Sequence, residues 1–128
     1  MVYVEIVLAL ALLQFMFFGM AVGWARGKFN CPAPATTGNE LFERYFRVQM
    51  NTLEQLVVFV PSLFLFAHLV NANWAAGLGV VFLVGRLLYF FAYTRNPKSR
   101  GLGFALTMLP NLALVVGTLA AAAGNALR

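Results

Sequence analysis

Glu40-Leu-Phe-Glu-Arg-Tyr-Phe-Arg-Val-Gln-Met-Asn-Thr-Leu-Glu-Gln55 holds five charged residues in sixteen: Glu40, Glu43, Arg44, Arg47 and Glu54. The chain around it is 62% hydrophobic and 10% charged. At about 100° per helical residue, Glu43, Arg47, Asn51 and Glu54 fall within about 80° of one another and form one stripe. Leu56–Val70, which follows, is almost wholly apolar. A polar stripe therefore runs directly into a helix committed to lipid. Charge at bilayer depth is costly and normally faces a bundle interior or a watery cavity, so this stripe is the first candidate for function.

Outward from it, the composition sets the class. The 128 residues carry thirteen Phe and a mean hydropathy of +0.81, more apolar surface than a soluble domain this small can bury. The expected fold is an all-α membrane protein, a four-transmembrane-helix bundle forming one domain over residues 1–128. Its spans are expected at about 2–24, 40–70, 74–94 and 102–126. The first, Val2–Val22 at its core, is too long for a signal h-region and has no basic residues before it. Pro110 and Asn111 are expected to interrupt the fourth. Asn39 is placed to cap the second span, with Glu40 and Glu43 in its first turns.

The formal net charge of +5 does not point to nucleic acid, because the basic residues do not form a soluble face. Arg26, Lys28, Arg95, Lys98 and Arg100 all lie in the first and third connections, and the second has no Lys or Arg. The positive-inside rule makes connections 1 and 3 cytoplasmic. The compact length suits a bacterial inner membrane. A single cysteine, Cys31, excludes an intrachain disulfide or a thiolate cluster, and the lone His68 has no partners at ligand spacing, so no metal is expected.

The third span carries a second stripe: Arg86, Tyr89 and Tyr93 fall within about 60° of one another. The start of span 2 and the end of span 3 meet at the cytoplasmic face. They gather Arg26, Arg47, Arg86, Arg95 and Arg100 with Asn51, Glu43, Glu54 and the two tyrosines. Arginine forks grip carboxylates and a carboxylate holds an ammonium, so the set suits a small zwitterion of net negative charge. An arginine in a water-poor setting also lowers the pKa of a thiol. Orientation and snorkelling by themselves account for Lys28, Arg95 and Lys98. They account less well for Arg47, Asn51 and Glu54.

Two motifs bring in a resemblance. Phe42-Glu-Arg-x-x-Arg-x-Gln-x-Asn-x-x-Glu54 and Arg86-x-x-Tyr-x-x-x-Tyr-x-Arg-x-x-x-x-Arg100 resemble the MAPEG family, the membrane-associated proteins of eicosanoid and glutathione metabolism. Ala25-Arg26 and the Pro34–Gly38 loop extend the similarity, the loop with one residue fewer between Pro and Thr. The resemblance implies a homotrimer that binds glutathione, as co-substrate, between subunits near the cytoplasmic face. By position, Arg47, Asn51, Glu54, Arg86, Tyr89 and Tyr93 would bind glutathione, with Arg26 and Gln49 reaching in from the neighbour. Arg100 would be catalytic and stabilise the thiolate. The partner substrate would be a hydrophobic electrophile or lipid hydroperoxide arriving from membrane lipid. Gln55 stands where the leukotriene synthases of the family carry tyrosine, which favours the microsomal glutathione transferases. The family's non-catalytic lipid-binding scaffold is disfavoured by the retention of Arg100. A small four-span drug exporter is disfavoured because Glu5, the only acidic residue of span 1, lies too near the terminus for mid-membrane work.

The orientation is testable on the native chain. Cys31, in the first connection, should resist an impermeant maleimide in intact cells and react in inverted vesicles; labelling in intact cells would reverse the topology.

Overall fold

The computed structural model describes residues 1–128 and contains four long helices: α1 Val2–Lys28, α2 Glu40–Leu69, α3 Ala72–Arg95 and α4 Gly101–Ala126, with a 3-10 turn at Pro97–Ser99 before the last. At 1.5 Å per residue they run from about 36 to 45 Å, each long enough for a hydrocarbon core of about 30 Å. All four are also apolar enough to cross a membrane. Three asparagines set where helical segments begin. Asn39 Oδ1 accepts from Leu41 N and Phe42 N at 2.8 and 3.1 Å, Asn71 Oδ1 from Trp74 N at 2.9 Å, and Asn96 Oδ1 from Lys98 N at 3.1 Å. Each meets amide groups that a helix start leaves without partners.

The boundaries differ from the expected spans where local chemistry allows. α1 continues through Lys28, so Arg26 lies on its last turn and not in a loop. The turn between α2 and α3 is shorter than Asn71–Trp74, because the Asn71 cap starts α3 at Ala72. α4 is not interrupted: Pro110 and Asn111 both lie inside it and are buried. Proline is tolerated within a membrane helix when neighbours meet the freed polar groups. Pro110 leaves the Leu106 carbonyl without its helical donor, and the next residue ties α4 to α2, Asn111 Nδ2 donating to Gln55 Oε1 at 3.1 Å. Pro61 likewise lies inside α2, and the residue after it, Ser62, donates its Oγ to Val58 O at 2.6 Å.

The helices run up and down in chain order. α2 and α3 are the central pair, and each packs against both α1 and α4. At the end towards the α2–α3 turn, Val4, Val7, Leu56, Phe59, Leu63, Phe82 and Leu114 form the main core, with the Phe59 and Phe82 rings stacked at 3.9 Å. Towards the other end Phe18, Val48, Tyr89 and Phe90 pack together, and beyond them lie Val22, Ala25, Cys31 and Phe42. Large apolar side chains on all four helices remain exposed, among them Leu13, Met20, Val57, Leu109 and Leu119, as lipid or a neighbouring subunit requires. Cys31 is only 5% exposed, so its failure to label reports burial as well as sidedness. A cysteine at exposed Asn73, beside the α2–α3 turn, is the informative reporter and should label from outside.

α3 and α4 approach closely because two glycines lie at their contact. A Cβ on Gly103 would lie 2.5 Å from Tyr89 N, and one on Gly85 would lie 2.8 Å from the Leu106 carbonyl carbon. Both clashes are with backbone, which cannot move aside as a side-chain tip can, and small residues at helix contacts are what permit such packing in lipid. Gly103→Ala should therefore destabilise by about 1–3 kcal/mol despite its better helix propensity. Gly101→Ala, where a Cβ meets nothing within 4 Å, should be neutral or slightly stabilising. Thermal unfolding in detergent separates the two.

Candidate functional site

The two polar stripes meet between α2, α3 and the start of α4. Arg86 leaves α3 and is wholly buried, 0% exposed. Its Nε donates to Thr107 Oγ1 on α4 at 2.8 Å, and its Nη1 donates to Asn51 Oδ1 at 2.8 Å and Thr52 Oγ1 at 3.2 Å, both on α2. One turn on, the Tyr89 ring lies 4.3 Å from the Arg86 guanidinium carbon, within cation–π range, and stacks on Tyr93 at 5.4 Å between centroids.

Above this buried layer lies a cleft of about 250 Å³ lined by Arg47, Asn51, Tyr89, Arg100 and Phe104. Arg47 and Asn51 are one turn apart on α2; Tyr89 comes from α3; Arg100 and Phe104 open α4. Arg47 also lines an adjoining hollow of about 320 Å³ with Glu43, Arg44, Phe46 and Tyr93. Its Nη1 lies 3.9 Å from Glu54 Oε1, with both side chains more than half exposed. A pair that long and that wet holds neither partner firmly, so both are available to a ligand. Two arginines, an amide and a phenol around a small cleft make a receptor for an anionic group, with Glu54 beside it for a cation.

Arg47, Asn51, Tyr89 and Arg100 are thus brought to one cleft. Tyr93 stacks on Tyr89, Glu54 lies beside Arg47, and Arg86 lies beneath the cleft. Arg26 and Gln49 lie elsewhere in the protomer. Arg26 Nη1 donates to Cys31 O at 3.1 Å and Ala35 O at 2.7 Å and sits over the Phe42 ring, closing the first connection. Gln49 points about 200° around α2 from Asn51, towards α1, where its Nε2 would be 3.1 Å from a Cβ on Gly19. No three His, Cys, Asp or Glu side chains come together as metal ligands.

Sequence reading missed the partners that hold these residues in place. Thr52 and Thr107 accept from Arg86, and Asn111 and Gln55 bridge α4 and α2. A usable signal was Gly103-x-x-x-Thr107-x-x-x-Asn111, small and polar residues at four-residue spacing along one face of an apolar helix. Arg44 was read only as part of the charged stretch. Its Nη1 donates to Thr94 O at 3.3 Å and Arg95 O at 3.0 Å, while its Nη2 pairs with Glu40 at 3.1 Å. It thereby covers carbonyls that the end of α3 leaves free.

The MAPEG family model matches residues 4–120, which include every residue of the cleft. The chain belongs to the MAPEG family. Within it, the chain is 48% identical over 114 residues to an uncharacterized protein of Synechocystis sp., covering 89% of this chain and 83% of that protein. It is 39% identical over 95 residues to human microsomal glutathione S-transferase 2, covering 74% of this chain and 65% of that protein. It is 36% identical over 84 residues to bovine leukotriene C4 synthase, covering 66% of this chain and 56% of that protein. MAPEG membership, together with four helices able to span the bilayer, makes it an integral multi-pass membrane protein.

Arg44 connects the adjoining hollow to the end of α3, just before the turn that leads to Arg100. Arg44→Ala should uncover the carbonyls of Thr94 and Arg95 and cost about 0.5–1.5 kcal/mol. Amide exchange across residues 96–101 should speed up while exchange in α1 stays as it is.

Proposed function

We propose that this MAPEG protein is a membrane-bound glutathione transferase that joins an activated glutathione thiolate to apolar electrophiles. The observation that carries the reading is the convergence of Arg47, Asn51, Tyr89 and Arg100, from three helices, on one cleft. Glutathione has two carboxylates, one ammonium and a thiol. Arg47 would take a carboxylate through its fork, Glu54 the ammonium, and Tyr89 and Tyr93 the polar backbone of the tripeptide, while Asn51 shares the cleft with Arg100. Arg100 would face the sulfur and hold it as thiolate.

The thiolate attacks an electrophilic carbon; the C–S bond forms, and the leaving group departs with its electron pair. The same nucleophile can open a lipid hydroperoxide. The S–O bond forms as O–O breaks, the alkoxide takes a proton, and a second glutathione reduces the sulfenic acid to disulfide and water. The electrophile is apolar and reaches the cleft from lipid, past exposed Phe104.

The assembly is proposed as a homotrimer. Arg26 and Gln49 cannot reach the cleft of their own protomer, and a subunit boundary would let them serve a neighbour's. The cleft, next to the basic third connection, would face the cytoplasm, in a bacterial inner membrane. The named relatives support the glutathione chemistry.

Arg100 decides between an enzyme and a lipid-binding scaffold. It is exposed, at the start of α4 and without a side-chain cap bond, so Arg100→Leu should leave the fold intact. A free thiol titrates near ~8.5, and a neighbouring guanidinium moves that by ~1–3 units. The sign is downward, because the cation favours the charged form. Arg100→Leu should therefore lose roughly ten-fold or more in rate at pH 7 and recover part of it by pH 9. Turnover with a generic aromatic electrophile and thiolate ultraviolet absorbance, both followed across that range, read the effect. If the variant matches wild type at every pH, Arg100 is not the activator.

A further inference from the structure

Arg86 belongs to the expected glutathione set, yet it does not border the cleft. The ion pairs of the chain, Arg44–Glu40 and Arg47–Glu54, leave it without a carboxylate. All its acceptors are neutral: Thr107 Oγ1, Asn51 Oδ1 and Thr52 Oγ1. The two hydroxyl protons are committed elsewhere, Thr52 to Val48 O at 2.7 Å and Thr107 to Gly103 O at 2.9 Å, so each threonine offers Arg86 only lone pairs. Arg86 Nη2 has no partner at all. This is a buried cation whose hydrogen bonds are oriented and whose charge is not neutralised.

The consequence falls on Asn51. A side-chain amide presents oxygen or nitrogen depending on a half-turn of its last torsion, and a guanidinium carries donors only. The atom of Asn51 at 2.8 Å from Arg86 Nη1 is therefore the oxygen, and Nδ2 must point away. Asn51 lines the cleft, and its Nδ2 makes no hydrogen bond within the protein. Arg47, Arg100 and Asn51 Nδ2 then all present donors, and the Tyr89 hydroxyl can donate as well. The flipped amide would set a donor against a donor at Arg86 and turn an acceptor towards the incoming group.

We infer that Arg86 is a positioning residue: by holding Asn51 Oδ1 it fixes the amide with Nδ2 towards the cleft, so that the site selects an anionic sulfur over the neutral thiol. The inference rests on the glutathione reading above. The unneutralised charge one amide away acts in the same direction, since a buried dipole next to a cation is polarised by it and the low dielectric strengthens both effects.

The test is the pH profile of turnover in Arg86→Met. The two threonines keep their backbone bonds in the variant, and its thermal unfolding in detergent is measured beside the profile. Its rate profile should move to higher pH by about 0.5–1 unit, with kcat falling more than the KM for glutathione rises. Asn51→Leu should move the profile similarly, and Arg86→Met added to it should move it no further, because the two act as one unit. A wild-type profile in Arg86→Met or in Asn51→Leu overturns the inference, as does full additivity in the double variant. A wild type without glutathione turnover would overturn the proposed reaction instead, and the side-chain amide signals of Asn51 then decide the positioning. Those signals, assigned by their loss in Asn51→Leu, must move in Arg86→Met, or in Arg86→Gln if the first does not fold. Unmoved signals sink the inference.

Discussion

A guanidinium enclosed by three helices sets the geometry of the functional half of this bundle. Arg86 reaches from α3 to Asn51 and Thr52 on α2 and to Thr107 on α4, so the rotation of all three helices about their axes is tied to one planar group. Apolar contacts in lipid do not supply such a constraint, because lipid tails and leucine side chains are equivalent neighbours and a helix can turn without exposing anything costly. An unsatisfied guanidinium cannot be turned into hydrocarbon at any similar cost. The charge is expensive to bury, and the structure offsets it with three hydrogen bonds and the face of Tyr89 in place of a carboxylate.

Close approach of α3 and α4 is the second condition. Without Cβ atoms at Gly85 and Gly103 the two backbones come together, and Thr107, one turn beyond Gly103, lands within reach of Arg86. The same approach brings the start of α4, with Arg100 and Phe104, over Tyr89 to close one wall of the cleft. Arg44 fastens the far end by holding the last carbonyls of α3, and so fixes where the turn towards Arg100 begins. Stability and site are thus built from the same contacts. The apolar faces outside them stay exposed, as a bilayer requires.

The legible part of the site consists of residues that share a helix. Arg47, Asn51 and Glu54 are aligned by the 3.6-residue period, and so are Arg86, Tyr89 and Tyr93; no tertiary information is needed to group them. The period groups them by helix face and says nothing of depth. Arg86 lies beneath the cleft, and Arg26 and Gln49 lie on the α1 side of α2, because a helix has an inward and a sideways face that composition does not distinguish when both are apolar. Pro110 misled for a related reason. In water a proline inside such a stretch argues for a break, whereas here α4 runs on through it, packed against α2 and α3.

What the sequence by itself determined is the class, the number of spans, the capped starts at Asn39 and the two polar stripes, since each depends on local period, hydropathy or a single side chain meeting its own backbone. What only the tertiary structure decided is which stripe residues face an open cleft, which are tied together below it, and that Thr52, Thr107, Gln55 and Asn111 hold them there. Those outcomes depend on the relative rotation and depth of helices far apart in the chain. In this protein they are set by one buried cation and two missing methyl groups, whose effect appears only when the helices are in contact.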